Sequence, residues 1–284
     1  MMVLIMWCSK KKLTADWPIC GLQMQVVSDI HLEFFGSELA IVQELIQNAG
    51  NARYLVLAGD ICTFAKNGGR IKLFLSALKA GPWERIFYVP GNHEYYSVRS
   101  IDHINNAMLG ICAEIGIDFL LRTRIELPEC ILLGTTLWGN LNPNQITSLS
   151  QGLNDFRKIR KVGNTWHDNV RVHHEQKLSF FDYLSLHSQD VAWLKQELSV
   201  SADKPIYVIT HHPPIQVQAN PDELDSAYNG DVGSLLPKVD TWIFGHNHAH
   251  YEQVVNGCHL VSNPRGYSNQ IGQIGYIAGW SKMI

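Results

Sequence analysis

The sequence predicts an α/β fold in which helices cover a largely parallel sheet. Short apolar runs alternate with longer stretches whose apolar residues recur every three or four positions. The runs are rich in Val, Ile, Leu and aromatic residues and end at Gly, Pro, Asp or His, which is typical of buried strands. The chain has 284 residues, 46% of them hydrophobic, so it can bury a large core without disulfides. Alternating strands and helices of this kind favour a parallel sheet.

The elements follow from this pattern in order. The runs predicted to be buried strands are 24–28, 54–58, 86–89, 131–137, 206–210 and 242–244. A helix is predicted between the first two, because Leu39, Val42, Leu45, Ile46 and Ala49 share one helical face and Gly50 is a plausible stop. The same spacing predicts helices over 71–78, 104–115 and 191–198. The runs 251–255 and 259–262 flank Asn256-Gly257, which predicts a hairpin.

The domain organisation predicted is one domain over residues 24–284, preceded by an extension at 1–23. The extension begins with seven apolar residues, too few to span a bilayer, and its lysines follow the apolar run instead of preceding it. Residues 140–187 interrupt the strand and helix rhythm. An insertion of this length is either a functional lid or small subdomain, or a solvated decoration.

The charge and cysteine content limit the class of protein. A net charge of -3 argues against a general nucleic-acid or membrane-surface binder, although a local basic groove stays open. The six cysteines form no C-x-x-C pair, so reduced thiols in the cytoplasm are expected.

Polar side chains collect directly after five of the predicted strands. Ligands of open α/β sheets bind outside the carboxyl ends of the strands, so these side chains are expected to meet at one edge. Imidazole, carboxylate and amide oxygen suit divalent Mn, Fe, Zn or Co, and the motifs contain no cysteine. Two ions at about 3.5–4 Å need a bridging carboxylate, with ligands on both sides. The residues are Asp29 and His31, Asp60, Asn92 and His93, His211 and His212, and His246 and His248.

In this order the motifs D-x-H, GD, GNHE, H-x-P and GHxH resemble those of the calcineurin-like metallophosphoesterase superfamily, over about residues 25–267. Further blocks at 154–157, 186–194 and 263–267 resemble small, stand-alone bacterial members. The resemblance implies a β-sandwich of largely parallel or mixed sheets flanked by helices. It also implies a dinuclear metal site at the carboxyl ends of the strands.

The resemblance also implies the role of each residue. His93 would be the general acid, the alternative being that it packs beside Asn92 and only orients the loop. His211 is preferred to His212 because the pattern is His-x-Pro. The implied ligands are Asp29, His31 and His248 for one ion, Asn92, His211 and His246 for the other, and Asp60 as the bridge.

One departure concerns the second motif. Ser/Thr protein phosphatases of the superfamily extend it to GDxxDR, whereas residues 59–64 here lack the second Asp and the Arg. This leaves open whether a carboxylate orients His93, and it argues against a dedicated protein phosphatase. Arg157 and Arg265 are the nearby arginines that could replace the missing cation.

The function predicted is hydrolysis of a small phosphoester by a metal-bound hydroxide, with a slight preference for diesters. The alternatives are a phosphomonoesterase, a nuclease with a basic groove at 157–161, and a non-catalytic metal-binding scaffold. No membrane partner is expected, and the oligomeric state is left open.

Overall fold

The computed structural model describes residues 23–167, 170–218 and 222–283. The predicted extension at 1–23 lies outside these residues except for Gln23, which is the first residue of the first strand. In chain order the strands are β1 (Gln23–Val27), β2 (Tyr54–Ala58), β3 (Arg85–Val89), β4 (Asp118–Phe119), β5 (Thr123–Glu126), β6 (Ile131–Gly134), β7 (Arg160–His167), β8 (Val170–Lys177), β9 (Ile206–Ile209), β10 (Thr241–Phe244), β11 (Tyr251–Val255), β12 (Cys258–Ser262) and β13 (Ser281–Met283).

The helices lie between the strands, as the alternating pattern predicts. They are α1 (Glu38–Gln47), α2 (Phe64–Lys79), α3 (Ile101–Ile115), α4 (Ile146–Gly152), α5 (Asp155–Lys158) and α6 (Phe180–Glu197). The side chain of Ser37 caps α1 by accepting from the Ala40 N–H, and Ser179 and Asp182 form a capping box at the start of α6.

The fold is built on two mixed sheets. The first has the strand order β13-β1-β2-β3-β4, in which β1 to β4 are parallel and β13 is antiparallel to β1. The second has the order β11-β12-β10-β9-β6-β5, with four parallel strands between two antiparallel edge strands. The strands β7 and β8 form a separate hairpin.

The two sheets pack face to face, and helices cover both outer faces. Met24 and Val26 of the first sheet share one buried cluster with Ile209 and Ile243 of the second. The opposite face of the first sheet packs on α1, α2 and α3, whereas that of the second packs on the end of α6. The predicted class, a sandwich of parallel and mixed sheets flanked by helices, is confirmed.

Three details differ from the sequence-based prediction. Leu39 and Ile46 are half exposed or nearly so, and Ile41 is buried in α1 instead, so the buried face is turned relative to the predicted one. The strand predicted over 131–137 ends at Gly134, because the chain turns away and Leu137 takes a left-handed φ of 50°. The apolar stretches at 180–184 and 191–198 belong to one helix, α6.

The segment predicted as an insertion contains α4, α5, the hairpin and the first turns of α6. Because α6 runs on into the core, the name insertion is used below for residues 140–178. The Asn256-Gly257 hairpin is present, with both residues at positive φ. The buried cysteines Cys62, Cys112, Cys130 and Cys258 are free thiols. Among the helices of the described residues, none has the length and apolar character to cross a membrane.

Candidate metal centre

The carboxyl ends of five strands meet at one edge of the sandwich. The ends of β1, β2 and β3 come from the first sheet, and those of β9 and β10 come from the second. Several non-glycine residues there have a left-handed backbone. Such conformations are rare outside glycine, and where they occur they are often found at functional sites. Five predicted ligands have a φ between 46° and 72°, namely Asp29, His31, Asp60, His246 and His248.

The glycines of two motifs are explained by the crowding at this edge. A Cβ on Gly59, which has a φ of 88°, would lie 2.3 Å from Nδ1 of His211. A Cβ on Gly91 would lie 2.2 Å from Oδ1 of Asp60. Only glycine lets the backbone of one loop approach the side chain of another this closely.

The first group of side chains consists of Asp29, His31 and His248. The Nε2 atoms of His31 and His248 lie 3.0 Å apart, and Oδ1 of Asp29 lies 3.4 Å from Nε2 of His248. Asp29 and His31 are fully buried. The three donor atoms lie within 4.8 Å of one another, so they could hold one cation.

The second group consists of Asn92, His211 and His246. Nε2 of His211 lies 3.2 Å from Oδ1 of Asn92 and 3.1 Å from Nδ1 of His246. His211 is fully buried and Asn92 is 3% exposed. The carbonyl of Ala58 lies 3.0 Å from Nδ1 of His211, which orients the imidazole with Nε2 toward the group.

Asp60 lies between the two groups. Its Oδ1 is 3.4 Å from Nε2 of His211, and its Oδ2 is 3.8 Å from Nε2 of His31. One carboxylate oxygen therefore faces each group, which would allow Asp60 to bridge two ions. The N–H of His93 donates to Oδ1 at 2.8 Å and helps to hold this orientation.

The electrostatics suit bound cations. Burial would raise the pKa of Asp60, but the charge of His211 and other histidines holds that pKa well below its usual value. Burial lowers the pKa of His211, but the charge of Asp60 outweighs it and raises the pKa to about 10. The buried carboxylates therefore stay ionised and attract positive charge. They lie next to nitrogen donors about 3 Å apart, and this donor set fits the divalent ions that the motifs predict.

His212 lies outside both groups. Its Nδ1 is 3.5 Å from the carbonyl of Thr136, and its ring lies against that of His246, with 4.2 Å between the centroids. Burial lowers the pKa of His212 to about 3, so it stays neutral. The structure therefore brings His211 and not His212 to Asp60.

His93 lies beside the metal centre. Its side chain is 14% exposed, and its ring packs against that of Tyr96 at a tilt of 33°, with 4.2 Å between the centroids. On another side, Nδ1 of His93 lies 3.4 Å from Oε1 of Glu33. Burial would lower the pKa of His93, but Asp60 and then Glu33 raise it above its usual value.

Two further carboxylates hold these loops in place. Neither was assigned a role from the sequence. Glu94 is fully buried and accepts from the N–H groups of Asp60, Ile61 and Gly91 and from the Tyr88 hydroxyl. It therefore ties the loop after β2 to the loop after β3. The GNHE motif contained this residue, but nothing in its spacing shows its partners.

The second carboxylate is Asp155 of the insertion, which is 1% exposed. Its Oδ1 accepts from Nδ2 of Asn92 at 2.9 Å and from the Tyr96 hydroxyl at 2.7 Å. Because Nδ2 of Asn92 is engaged in this way, Oδ1 of Asn92 is directed toward His211.

The arginines considered from sequence lie away from the centre. Arg265 is 7% exposed, pairs with Glu44 at 3.0 Å and packs on the Phe35 ring. Arg157 donates to the carbonyl of Gln151. Neither side chain lines the cavity over the two groups, so neither is placed to replace the missing arginine.

A cavity of about 290 Å³ opens over the two groups. Asp60, Asn92, His93, His246 and His248 line it, and the other lining residues are uncharged. No lysine or arginine is among the described residues that line it. The surrounding residues are Tyr96, Gly152, Leu153, Asn154, Gln218, Tyr228, Asn247 and Tyr267.

Comparisons with known proteins agree with this geometry. The family model for calcineurin-like phosphoesterases matches residues 25–250. An uncharacterized protein, L509, of Acanthamoeba polyphaga mimivirus is 30% identical over 271 residues, covering 87% of this chain and 92% of the relative.

Two solved structures share the fold at low sequence identity. A phosphopantetheinyl hydrolase from Mycobacterium tuberculosis has a TM-score of 0.67 at 14% identity, over 93% of this chain and 96% of the other. A dimetal phosphatase from Danio rerio has a TM-score of 0.55 at 16% identity, over 87% of this chain and 88% of the other.

Proposed function

Since this chain belongs to the calcineurin-like phosphoesterase family and is a metal-dependent phosphoester hydrolase, we propose that it cleaves small phosphodiesters at a dinuclear centre. The observation that carries the proposal is Asp60, which directs one oxygen to each of two donor groups beside a cavity. Two divalent ions held there would polarise the phosphoryl oxygens and supply an activated water for in-line attack. Mn, Fe, Zn and Co all suit the donor set.

The side chains of the cavity would bind and orient the ester. His93 faces the cavity from beside Asp60 and is proposed to protonate the departing oxygen. Its N–H is fixed on Asp60 and its ring on Tyr96, so the imidazole has a defined position relative to the phosphoryl group. A residue that only oriented the loop would not need a ring exposed to the cavity.

The preference for diesters is supported by the charge of the cavity wall. A monoester carries about one more negative charge than a diester near neutral pH, and strong monoesterases usually bind it with arginine. The described lining residues include no lysine or arginine, so among them only a protonated histidine such as His93 would add to the ions in neutralising that charge. The tyrosines and amides of the wall suit the neutral second substituent of a diester.

The basic stretch at 157–161 gives little support to the nuclease alternative. Arg157 and Arg160 donate to backbone carbonyls, and Lys161 pairs with Asp182. These contacts leave Lys158 as the residue of that stretch linked to the cavity, with its Nζ 4.8 Å from the centroid of the Tyr96 ring. An extended basic groove for a nucleic-acid backbone would need several such cations in a row.

The test compares kcat/KM for bis-nitrophenyl phosphate and nitrophenyl phosphate with Mn²⁺ at neutral pH. The proposal predicts that the diester is cleaved at least as efficiently as the monoester. A hundredfold preference for the monoester would contradict it. Activity on single-stranded DNA that falls steeply with salt would favour the nuclease instead. Enzyme stripped by a chelator and then reloaded is the control for metal dependence.

A further inference from the structure

Glu33 is a shielded carboxylate next to the metal centre that is not itself in either donor group. It lies in the short turn after β1, two residues beyond His31, and its side chain is 12% exposed. Its Oε2 accepts from the backbone N–H of Thr63 at 3.2 Å, which anchors the carboxylate from the loop after β2. Thr63 occupies the place of the second Asp in GDxxDR.

The other oxygen of Glu33 faces two imidazoles. Oε1 lies 3.4 Å from Nδ1 of His93 and 3.7 Å from Nδ1 of His31. The shorter distance is the one to His93, and only that contact meets hydrogen-bond geometry, since Nδ1 of His31 has no partner of that kind among the described residues. The His93 ring thus contacts Glu33 at its Nδ1 edge and packs against the tilted Tyr96 ring.

We propose that Glu33 is a positioning residue that acts through His93 by accepting the Nδ1–H, so that Nε2 is the atom presented to the leaving group. This inference rests on the proposed hydrolysis, in which His93 is the proton donor. A carboxylate has acceptor sites only, so its partner nitrogen must be the donor. An amide in its place could rotate and present its NH₂ group to Nδ1, and the tautomer would no longer be defined.

The proton balance of the step is simple. As the bond from phosphorus to the leaving oxygen breaks, its electron pair stays on that oxygen. The oxygen takes the proton from Nε2 of His93. Nδ1 of His93 keeps its own proton, which is hydrogen-bonded to Glu33. The imidazole, now neutral, regains a proton from solvent before the next turnover. Glu33 neither gains nor loses a proton in this step.

The experiment measures kcat for Glu33→Gln on diesters that share one retained group and differ in leaving group, from nitrophenyl to alkyl. We expect a loss of about 10–100-fold for alkyl leaving groups, the scale seen for groups that orient a functional histidine. The loss should fall below about threefold for nitrophenyl, which needs little protonation. KM and the content of bound metal should stay unchanged.

Two further variants test whether an effect of Glu33→Gln is specific and whether it acts through His93. Glu38→Gln is the matched control, because Glu38 is similarly shielded, at 16% exposure, but pairs with Arg70 away from the cavity; its activity should be that of the wild type. The double variant Glu33→Gln/His93→Ala should lose no more activity than His93→Ala alone.

Three outcomes would overturn the inference in distinguishable ways. Equal losses for all leaving groups, together with lost metal, would mean that Glu33 supports His31 instead. Additive losses in the double variant would mean that Glu33 acts independently of His93. A His93→Ala variant without leaving-group dependence would remove the acid role itself, and with it both this inference and that part of the proposed function.

Discussion

The strand ends and the insertion both reach the candidate centre, but they bring different kinds of residue to it. The loops after β1, β2, β3, β9 and β10 supply the donor atoms of both groups. The insertion supplies Asp155, which bonds to Asn92 and Tyr96 and belongs to neither group. Substitutions at the strand ends should therefore abolish the reaction, whereas substitutions in the insertion should slow it or change its selectivity.

The difference has a physical origin. Five of the strand-end residues are set by their own left-handed backbone, and glycines of the same motifs allow neighbouring loops to approach them closely. Asp155 acts across 63 residues of sequence through a single buried hydrogen bond to Asn92. Asp155 therefore orients a donor, Asn92, that the loop after β3 supplies.

The largest effect is expected for Asp60→Asn. A neutral amide bridges two cations poorly, so kcat/KM should fall by at least about 10³-fold, or ~4 kcal/mol in the activation free energy. The measurement is diester hydrolysis with excess Mn²⁺. Asp102→Asn, an exposed change at the start of α3, is the control and should be silent. Activity above a tenth of wild type would mean that Asp60 is not a bridging ligand.

An intermediate effect is expected for Asp155→Ala in the insertion. The change removes the acceptor of the Tyr96 hydroxyl and leaves Nδ2 of Asn92 with only its 3.2 Å bond to that hydroxyl, which should cost about 1–3 kcal/mol of stability. It should also lower kcat by about 10–100-fold, because the Asn92 amide loses its shorter hydrogen bond and is held less firmly. Kinetics and thermal unfolding are measured together. Tyr96→Phe, which keeps the bond between Asn92 and Asp155, should lose much less activity; equal losses would assign the effect to Tyr96.

The smallest effect is expected for Lys158→Gln. Its ammonium is the cation linked to the cavity wall through Tyr96, so its removal should lower kcat/KM for nitrophenyl phosphate by about two- to fivefold. The diester, with less charge to neutralise, should be unaffected. Lys161→Gln serves as the matched control, since Lys161 pairs with Asp182. A parallel loss on both substrates would argue against a selective role in monoester binding.

The sequence predicted the sheets and the strand-end residues because both depend on local patterns. Apolar runs identify β1 and β2, and the polar residue that follows each run is placed by the strand itself, as with Asp29 and Asp60. The buried face of α1 was less predictable, because which of Leu39 and Ile41 is covered depends on the packing of neighbouring helices.

Residues that act through distant partners could not be predicted. The pairing of Arg265 with Glu44 joins positions 221 residues apart, and no spacing rule reveals that it takes this guanidinium away from the cavity. The same holds for Asp155 and its bond to Asn92. Glu33 had a weak signal, since it is two residues after His31, but its contact with His93 depends on how the loops after β1 and β3 pack.

The central claim, that two donor groups share Asp60, is tested most directly by metal content. The chain is loaded with Mn²⁺, freed of excess ion and measured by elemental analysis beside His248→Ala and His246→Ala, which each remove one ligand from a different group. The account predicts two ions per chain in the wild type and close to one in each variant, with activity lost in both. A single ion in the fully active wild-type chain, or two ions retained in both variants, would contradict it.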